Sequence, residues 1–216
     1  MTENDLKLYH SASSPNSRRV RVFLAEKGLT VPLVPVDLGK REQDSHAYRA
    51  INPRAVVPTL VLGDGTAIGE VLAIWRYFED FYSSAPPLLG VTPKERALVT
   101  MWERRSEFEG FAAVMEGVRN AAPSLKSRAI AGPHGYEQIP ALVERSRQRI
   151  HNFFADFDIR LTEAPFVAGE SFSAADITTL VTVDFAARAF DMPLPRTALA
   201  LKRWYDIVSA RPSTAA

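Results

Sequence analysis

The chain has 216 residues, room for one large domain or two small ones. Its 46% hydrophobic and 24% charged residues match an ordinary soluble globular protein and exclude a disordered, collagenous or low-complexity chain. A net charge of +1 offers no electrostatic footprint for nucleic acid or an anionic membrane, and the lack of cysteine removes disulfides, thiolate metal sites and cysteine nucleophiles. No apolar run approaches the roughly 18–20 residues of a membrane-spanning helix. The polar, acidic start Met1-Thr2-Glu3-Asn4-Asp5 is wrong for a signal or transit peptide, so a cytoplasmic protein is expected.

Leu6–Tyr9 is a short apolar strand. Ser17–Lys27 carries Val20, Phe23 and Leu24 at helical spacing, with Gly28 as its stop. Val31–Val36 is β-branched and proline-punctuated, which suits an edge strand. Residues 37–54 are polar and irregular, with one helical turn around Ser45–Ala50. Thr59–Leu62 and Thr66–Ile68 are strands joined by the turn signal Gly63-Asp64-Gly65. Val71, Ile74, Trp75, Phe78 and Tyr82 then mark one helix face.

After the proline-rich break Ser83-Ser84-Ala85-Pro86-Pro87 every expected element is a helix. One runs from Pro93 to about Asn120 and is followed by a loop over Ala121–Pro133. A second carries Ile150, Phe153, Phe154, Phe157 and Leu161 on one stripe. Others span Ser173–Phe190 and about Arg196–Ala210. The change of pattern predicts an α/β domain over 1–83, a linker over 84–92 and an all-helical domain over 93–216.

Three segments could carry chemistry, and each has a plain structural reading beside it. Ser14-Pro15-Asn16-Ser17-Arg18-Arg19-Val20-Arg21 lies between the first strand and first helix, where the helix dipole favours an anion; helix capping alone also accounts for it. Val56-Val57-Pro58-Thr59 places a proline at a strand entrance, and an ordinary trans proline is the reading the residues favour. A cis bond there would leave Val57 with an unpaired N–H and C=O for an extended peptide. Glu70, after Gly69 and before Val71, would cap the next helix; alternatively, Glu70 and the helix N–H groups would hold the two ends of a zwitterion.

Ser173-Ala174-Ala175-Asp176 is a capping box, with Phe172 and Ile177 as its hydrophobic flanks, and has no assigned chemistry. His10, His46, His134 and His151 do not pair at metal-ligand spacing, so no metal site is expected. Phosphate-loop, dinucleotide and serine-elbow motifs are lacking. Phe108, Phe111, Phe153, Phe154 and Phe157 are expected in the core, and Arg145, Arg147 and Arg149 on a solvated face.

In their order, these segments resemble the cytosolic glutathione transferases over essentially the whole chain. The family pattern S-P-x-x-x-R-V-R is matched from Ser14 to Arg21, and N-P-x-x-x-V-P from Asn52 to Pro58. E-S-x-A-I is matched by Glu70-Val71-Leu72-Ala73-Ile74 with Val71 in place of Ser, and the stretch from Val167 to Thr178 is similar to the family's helical-domain capping box. The flavour is that of the branch shared by bacteria and the second yeast-type transferase.

The resemblance implies a thioredoxin-like first domain followed by an all-α bundle. It also implies glutathione as co-substrate without a further cofactor, a small hydrophobic electrophile in a cleft lined by the later helices, and a homodimer. Implied glutathione contacts are Ser14, Lys40, Val57, Pro58, Glu70 and Val71, with Ser14 donating to the thiolate and Val57 before a cis Pro58. The yeast-type branch implies another route, a water held by His and Ser of the helical domain, for which Ser124, Ser127 and His134 are candidates. The implied reaction is attack of the thiolate on an electrophilic carbon or a peroxide. A protein of the same fold that binds or regulates without turnover is the other reading.

Overall fold

The computed structural model describes residues 6–83 and 86–216. Met1–Asp5, and Ser84 and Ala85 within the proline-rich break, lie outside the described residues. The chain divides into two compact units. One holds the residues up to Pro86 with Ala131–His134 and Ala215–Ala216; the other holds Pro87–Ile130 and Gly135–Thr214.

In the first unit the order is β1 (Lys7–His10), α1 (Pro15–Glu26), β2 (Leu33–Pro35), α2 (His46–Ile51), β3 (Thr59–Val61), β4 (Ala67–Ile68) and α3 (Val71–Phe81). The sheet order is β2-β1-β3-β4, with β1 parallel to β2 and the other two pairs antiparallel. Strand periodicity buries Leu6 and Leu8 and exposes Lys7. The proline-bearing β2 lies at an edge, where a missing N–H breaks no ladder. Ser14 caps α1, Pro15 occupies its first turn, and Gly28, at φ +66°, takes the left-handed turn that ends it.

The buried face of α3 follows the predicted spacing through Val71, Ile74, Trp75 and Phe78, whereas Tyr82, expected on the same face, lies past the helix end and is half-buried. The helix packs on α1 through the stacked rings of Phe23 and Trp75, 5.2 Å apart. Lys27, which carries no hydrophobic signal, is buried at the end of α1. Its Nζ donates to Glu79 Oε2 of α3 at 2.8 Å and to the Pro86 carbonyl at 3.0 Å.

The second unit contains α4 (Pro93–Arg105), α5 (Ala112–Ala121), α6 (Ala141–Glu163), α7 (Ala174–Phe190) and α8 (Leu199–Ser209). The single helix expected over 93–120 is interrupted by a π-helical turn, Ser106–Phe111. Close packing accompanies that turn: a Cβ on Gly110 would stand 2.7 Å from the Phe153 ring, so a larger side chain would force the helices apart. Arg149 Nη2 of α6 donates to the Phe108 carbonyl inside the same turn at 2.6 Å. Helix α7 is buried nearly all round, and its inward threonines satisfy themselves on the preceding turn, Thr179 on Ala175 and Thr182 on Thr178. The last helix starts at Leu199 rather than near Arg196, because Pro195–Ala198 forms a turn first.

Two expectations need correction here. Phe108 is not core: it is 59% exposed, with the Arg104 guanidinium 4.1 Å from its ring. The arginines of α6 are not merely solvated. Arg145 and Arg149 share one face and both pair with Glu116 of α5, while Arg147 lies over the Phe190 ring. Burial raises the Glu116 carboxyl, but the hydrogen bonds from Arg145 and Ser146 and the two arginine charges outweigh it and hold it below its ordinary value.

Candidate active site

Sheet register decides where the singled-out segments meet. Tyr9 faces Thr59 across the antiparallel β1–β3 pair, Leu60 faces Ile68 across β3–β4, and His10 lies beside Pro35 in the parallel β1–β2 pair. Strands β1, β2 and β4 therefore leave the sheet at the end where β3 enters it. The Ser14 loop, the turn with Lys40, the Val57–Pro58 segment and the Glu70–Val71 junction all sit at that one end of the sheet.

Ser14 is buried, and its Oγ accepts the Ser17 N–H at 3.2 Å, so the capping reading holds. A hydroxyl that accepts still has its proton to give, and among the described residues no acceptor within the chain takes it. The loop around Ser14 is tightly tied. The Ser14 N–H donates to the Ser11 carbonyl, and the Ser11 N–H donates to Ser17 Oγ, each at 3.2 Å.

The Val57–Pro58 peptide bond is cis, as the resemblance implies and against the trans bond that the residues alone favour. Asn52 shapes this segment: its Nδ2 donates to the Val56 carbonyl at 3.0 Å and to Thr59 Oγ1 at 2.8 Å, and its Oδ1 accepts the Arg54 N–H. Tyr48 adds a hydroxyl donated to the same Val56 carbonyl at 2.6 Å; burial pushes that phenol above its ordinary value. Among the described residues, no hydrogen bond within the chain engages the N–H or C=O of Val57.

Glu70 does not cap α3, contrary to its plain structural reading. It stands at φ +63°, ψ 128°, a conformation that costs a non-glycine residue on the order of 1–3 kcal/mol, and its side chain is exposed. Among the described residues, the first-turn N–H groups of α3 thus have no side-chain cap, and an acidic group stands beside them. Val71 is buried, 6% exposed, as the first core residue of that helix. Lys40 lies in the turn after β2, where its backbone N–H binds Asp37 Oδ1; its side chain is 79% exposed, with Nζ 3.5 Å from Asp37.

Together these groups can hold an extended, zwitterionic peptide: backbone pairing at Val57, a cation at Glu70, a carboxylate at the α3 N–H groups and an anion at Ser14. Of the serine and histidine candidates for holding a water, Ser127 gives its proton to Glu137 at 2.6 Å.

Residues 8–86 match the family model for the glutathione S-transferase N-terminal domain, and residues 118–212 the model for its C-terminal domain. The chain belongs to the glutathione S-transferase family. Glutathione S-transferase 2 of Saccharomyces cerevisiae is 35% identical over 210 residues, covering 95% of this chain and 86% of its own. The crystal structure of Gtt2 from that yeast superposes with a TM-score of 0.87 at 34% identity, covering 97% of this chain and 98% of its own. A class Gtt2 glutathione S-transferase of Vibrio parahaemolyticus gives 0.82 at 31% identity, with 96% and 95% covered. The first unit is the thioredoxin-like domain of the family, and the second its helical domain.

Within this glutathione S-transferase domain, sequence reasoning missed the parts that act through hydrogen bonds. Asn52 lay inside a quoted motif, but no spacing rule shows that its amide organises the Val57 segment. Tyr48 gives no signal at all, because its partners lie 8 and 11 residues away across a turn.

Proposed function

We propose that this chain catalyses the attack of the glutathione thiolate on a small hydrophobic electrophile. The carbon–sulfur bond forms as the leaving group departs with its electron pair, and the thiol proton goes to solvent; the same thiolate is suited to peroxide reduction. Ser14 lowers the thiol pKa by donating to the thiolate, Val57 pairs with the cysteinyl backbone, and Glu70 with the α3 N–H groups takes the γ-glutamyl end. Lys40 lies where a flexible cation reaches a peptide carboxylate. The observation that carries this reading is the unengaged Val57 backbone at the same sheet end as Ser14 and the strained Glu70. Family likeness supports a cytoplasmic homodimer that detoxifies electrophiles with no cofactor beyond glutathione.

Turnover of a chlorinated nitrobenzene with glutathione tests the activity directly; glutathione binding without turnover across a panel of electrophiles would support the binding-protein reading instead. In that assay Ser14→Ala is expected to raise the bound thiol pKa by about 1–2 units and to lower kcat about 10–100-fold, the effect of one hydrogen bond to a charge. Thiolate absorbance that survives the change at neutral pH would transfer the activating role to a water.

Val71 can offer the γ-glutamyl carboxylate only its backbone N–H. Val71→Ser adds a hydroxyl donor and is expected to tighten glutathione binding several-fold, since a hydrogen bond to a charge contributes up to roughly 1.5–3 kcal/mol less what water already supplies. The same change removes buried apolar surface and is expected to destabilise the fold by about 1–2 kcal/mol. Titration calorimetry on the two proteins decides it: unchanged or weaker binding would mean the pocket is shaped around valine.

A further inference from the structure

A hydrogen-bonded pair at the end of β1 stands directly behind the Ser14 loop. Arg21, almost two turns into α1, reaches back so that its Nη1 lies 3.2 Å from His10 Nδ1 and 3.3 Å from the Ser11 carbonyl oxygen. A guanidinium can only donate, so His10 Nδ1 must accept, which requires the neutral ring with its proton on Nε2. The Ser11 carbonyl receives both this bond and the N–H of Ser14. A short chain of contacts thus runs from the His10 ring through Arg21 and the Ser11 peptide to the residue proposed to hold the thiolate.

We propose that His10 and Arg21 are positioning residues for Ser14: neutral His10 holds the guanidinium against the Ser11 carbonyl, and protonation of His10 releases it and loosens the Ser14 loop. A protonated ring would present an N–H to an N–H and a positive charge to a positive charge. Burial first, and then Arg21, lower the His10 pKa below its ordinary value of 6.5. Among the described residues, Arg18 of α1 places a second positive charge beside Arg21, β2 contributes no titratable side chain, and the Ala216 backbone oxygen meets the far guanidinium nitrogen, Arg21 Nη2, at 3.5 Å. The loop is therefore locked at neutral pH and unlocked in acid, so turnover carries an acid limb separate from ionisation of the glutathione thiol.

The inference rests on the reading of Ser14 as the thiolate's partner, and the experiment separates the two. The full chain is assayed with glutathione and 1-chloro-2,4-dinitrobenzene across the range in which histidine titrates, with thiolate absorbance of the glutathione complex followed in parallel. His10→Ala and Arg21→Ala are each expected to lower kcat about 10–100-fold, the effect of misplacing a reacting group by about an ångström, while the glutathione KM changes much less. His10→Gln, whose amide oxygen accepts the same N–H but does not titrate, is expected to restore kcat at neutral pH. It should also remove one protonation from the acid limb, leaving only the thiol step that the absorbance reports. A wild-type acid limb in His10→Gln, or wild-type kcat in both alanine variants, would overturn the proposal. Ser14→Ala serves as the control. If it alters kcat and thiolate absorbance while the His10 and Arg21 variants do not, only the positioning role falls; if Ser14→Ala itself changes nothing, the reading of Ser14 falls and takes the positioning role with it.

Discussion

Replacing Asp176 with alanine is expected to destabilise the protein by about 3–5 kcal/mol, the cost of breaking a buried charged network. Four donors converge on this carboxylate: the Val167 N–H at 2.9 Å and Trp204 Nε1 at 2.8 Å on one oxygen, the Ser173 N–H at 2.9 Å and Ser173 Oγ at 3.1 Å on the other. Alanine would strand these donors in a dry interior and remove the Asp176 half of the capping box of α7, the helix most deeply buried in its unit. For a chain of this length the loss corresponds to roughly 6–20 °C in Tm. Burial pushes the Asp176 carboxyl up to about 6, against the opposing pull of its four donors. Because that value exceeds the ordinary 3.8, the stability linked to this proton is full below about pH 4 and is lost as pH rises through 6. The gap between wild type and Asp176→Ala should therefore widen, by about 1–3 kcal/mol, when both are unfolded near pH 4–5 instead of pH 8. A gap that is small, or that narrows in acid, would show that the cap is dispensable.

Glu70→Ala is expected to weaken glutathione binding about 10–100-fold, since it leaves the ligand's ammonium without its anionic partner, a loss of roughly 1.5–3 kcal/mol. The backbone supplies a sharper test than the loss alone. At φ +63° Glu70 is strained, and glycine adopts that conformation freely. Glu70→Gly should therefore hold or raise stability by about 1 kcal/mol while binding falls as far as in the alanine variant. Stability and affinity moving in opposite directions is the signature of strain kept for a ligand. Calorimetry with glutathione and thermal unfolding of the same samples measure both, and undiminished affinity in either variant would remove Glu70 from the site.

Several of the features behind these expectations are legible in the sequence. The 3.6-residue spacing from Val71 to Phe78 marks the buried face of α3, because only that face can be taken from water. Ser14 followed by Pro15 marks the start of α1, since cap geometry depends on a few adjacent residues. Ser173 and Asp176 mark the start of α7 for the same reason, although nothing local shows that Trp204 and Val167 also lean on Asp176.

What only the tertiary structure decided are the contacts between residues far apart in the chain. The π-helical turn at Ser106–Phe111 breaks a pattern that looks continuous, where Gly110 lies against Phe153 and Arg149 meets the Phe108 carbonyl. Lys27 is buried because Glu79, 52 residues on, awaits it. The cis bond before Pro58 is held among hydrogen bonds from Asn52 and Tyr48 that no propensity encodes. The site itself follows from register: Ser14, Val57 and Glu70 lie far apart in sequence and meet because three strands end, and one begins, at the same edge of the sheet. Local sequence determines which short segments form helices and strands, since backbone preference and the period of apolar residues act over a few positions. Strand order and buried polar pairing bring distant residues together, and the chemistry proposed for this protein depends on those meetings.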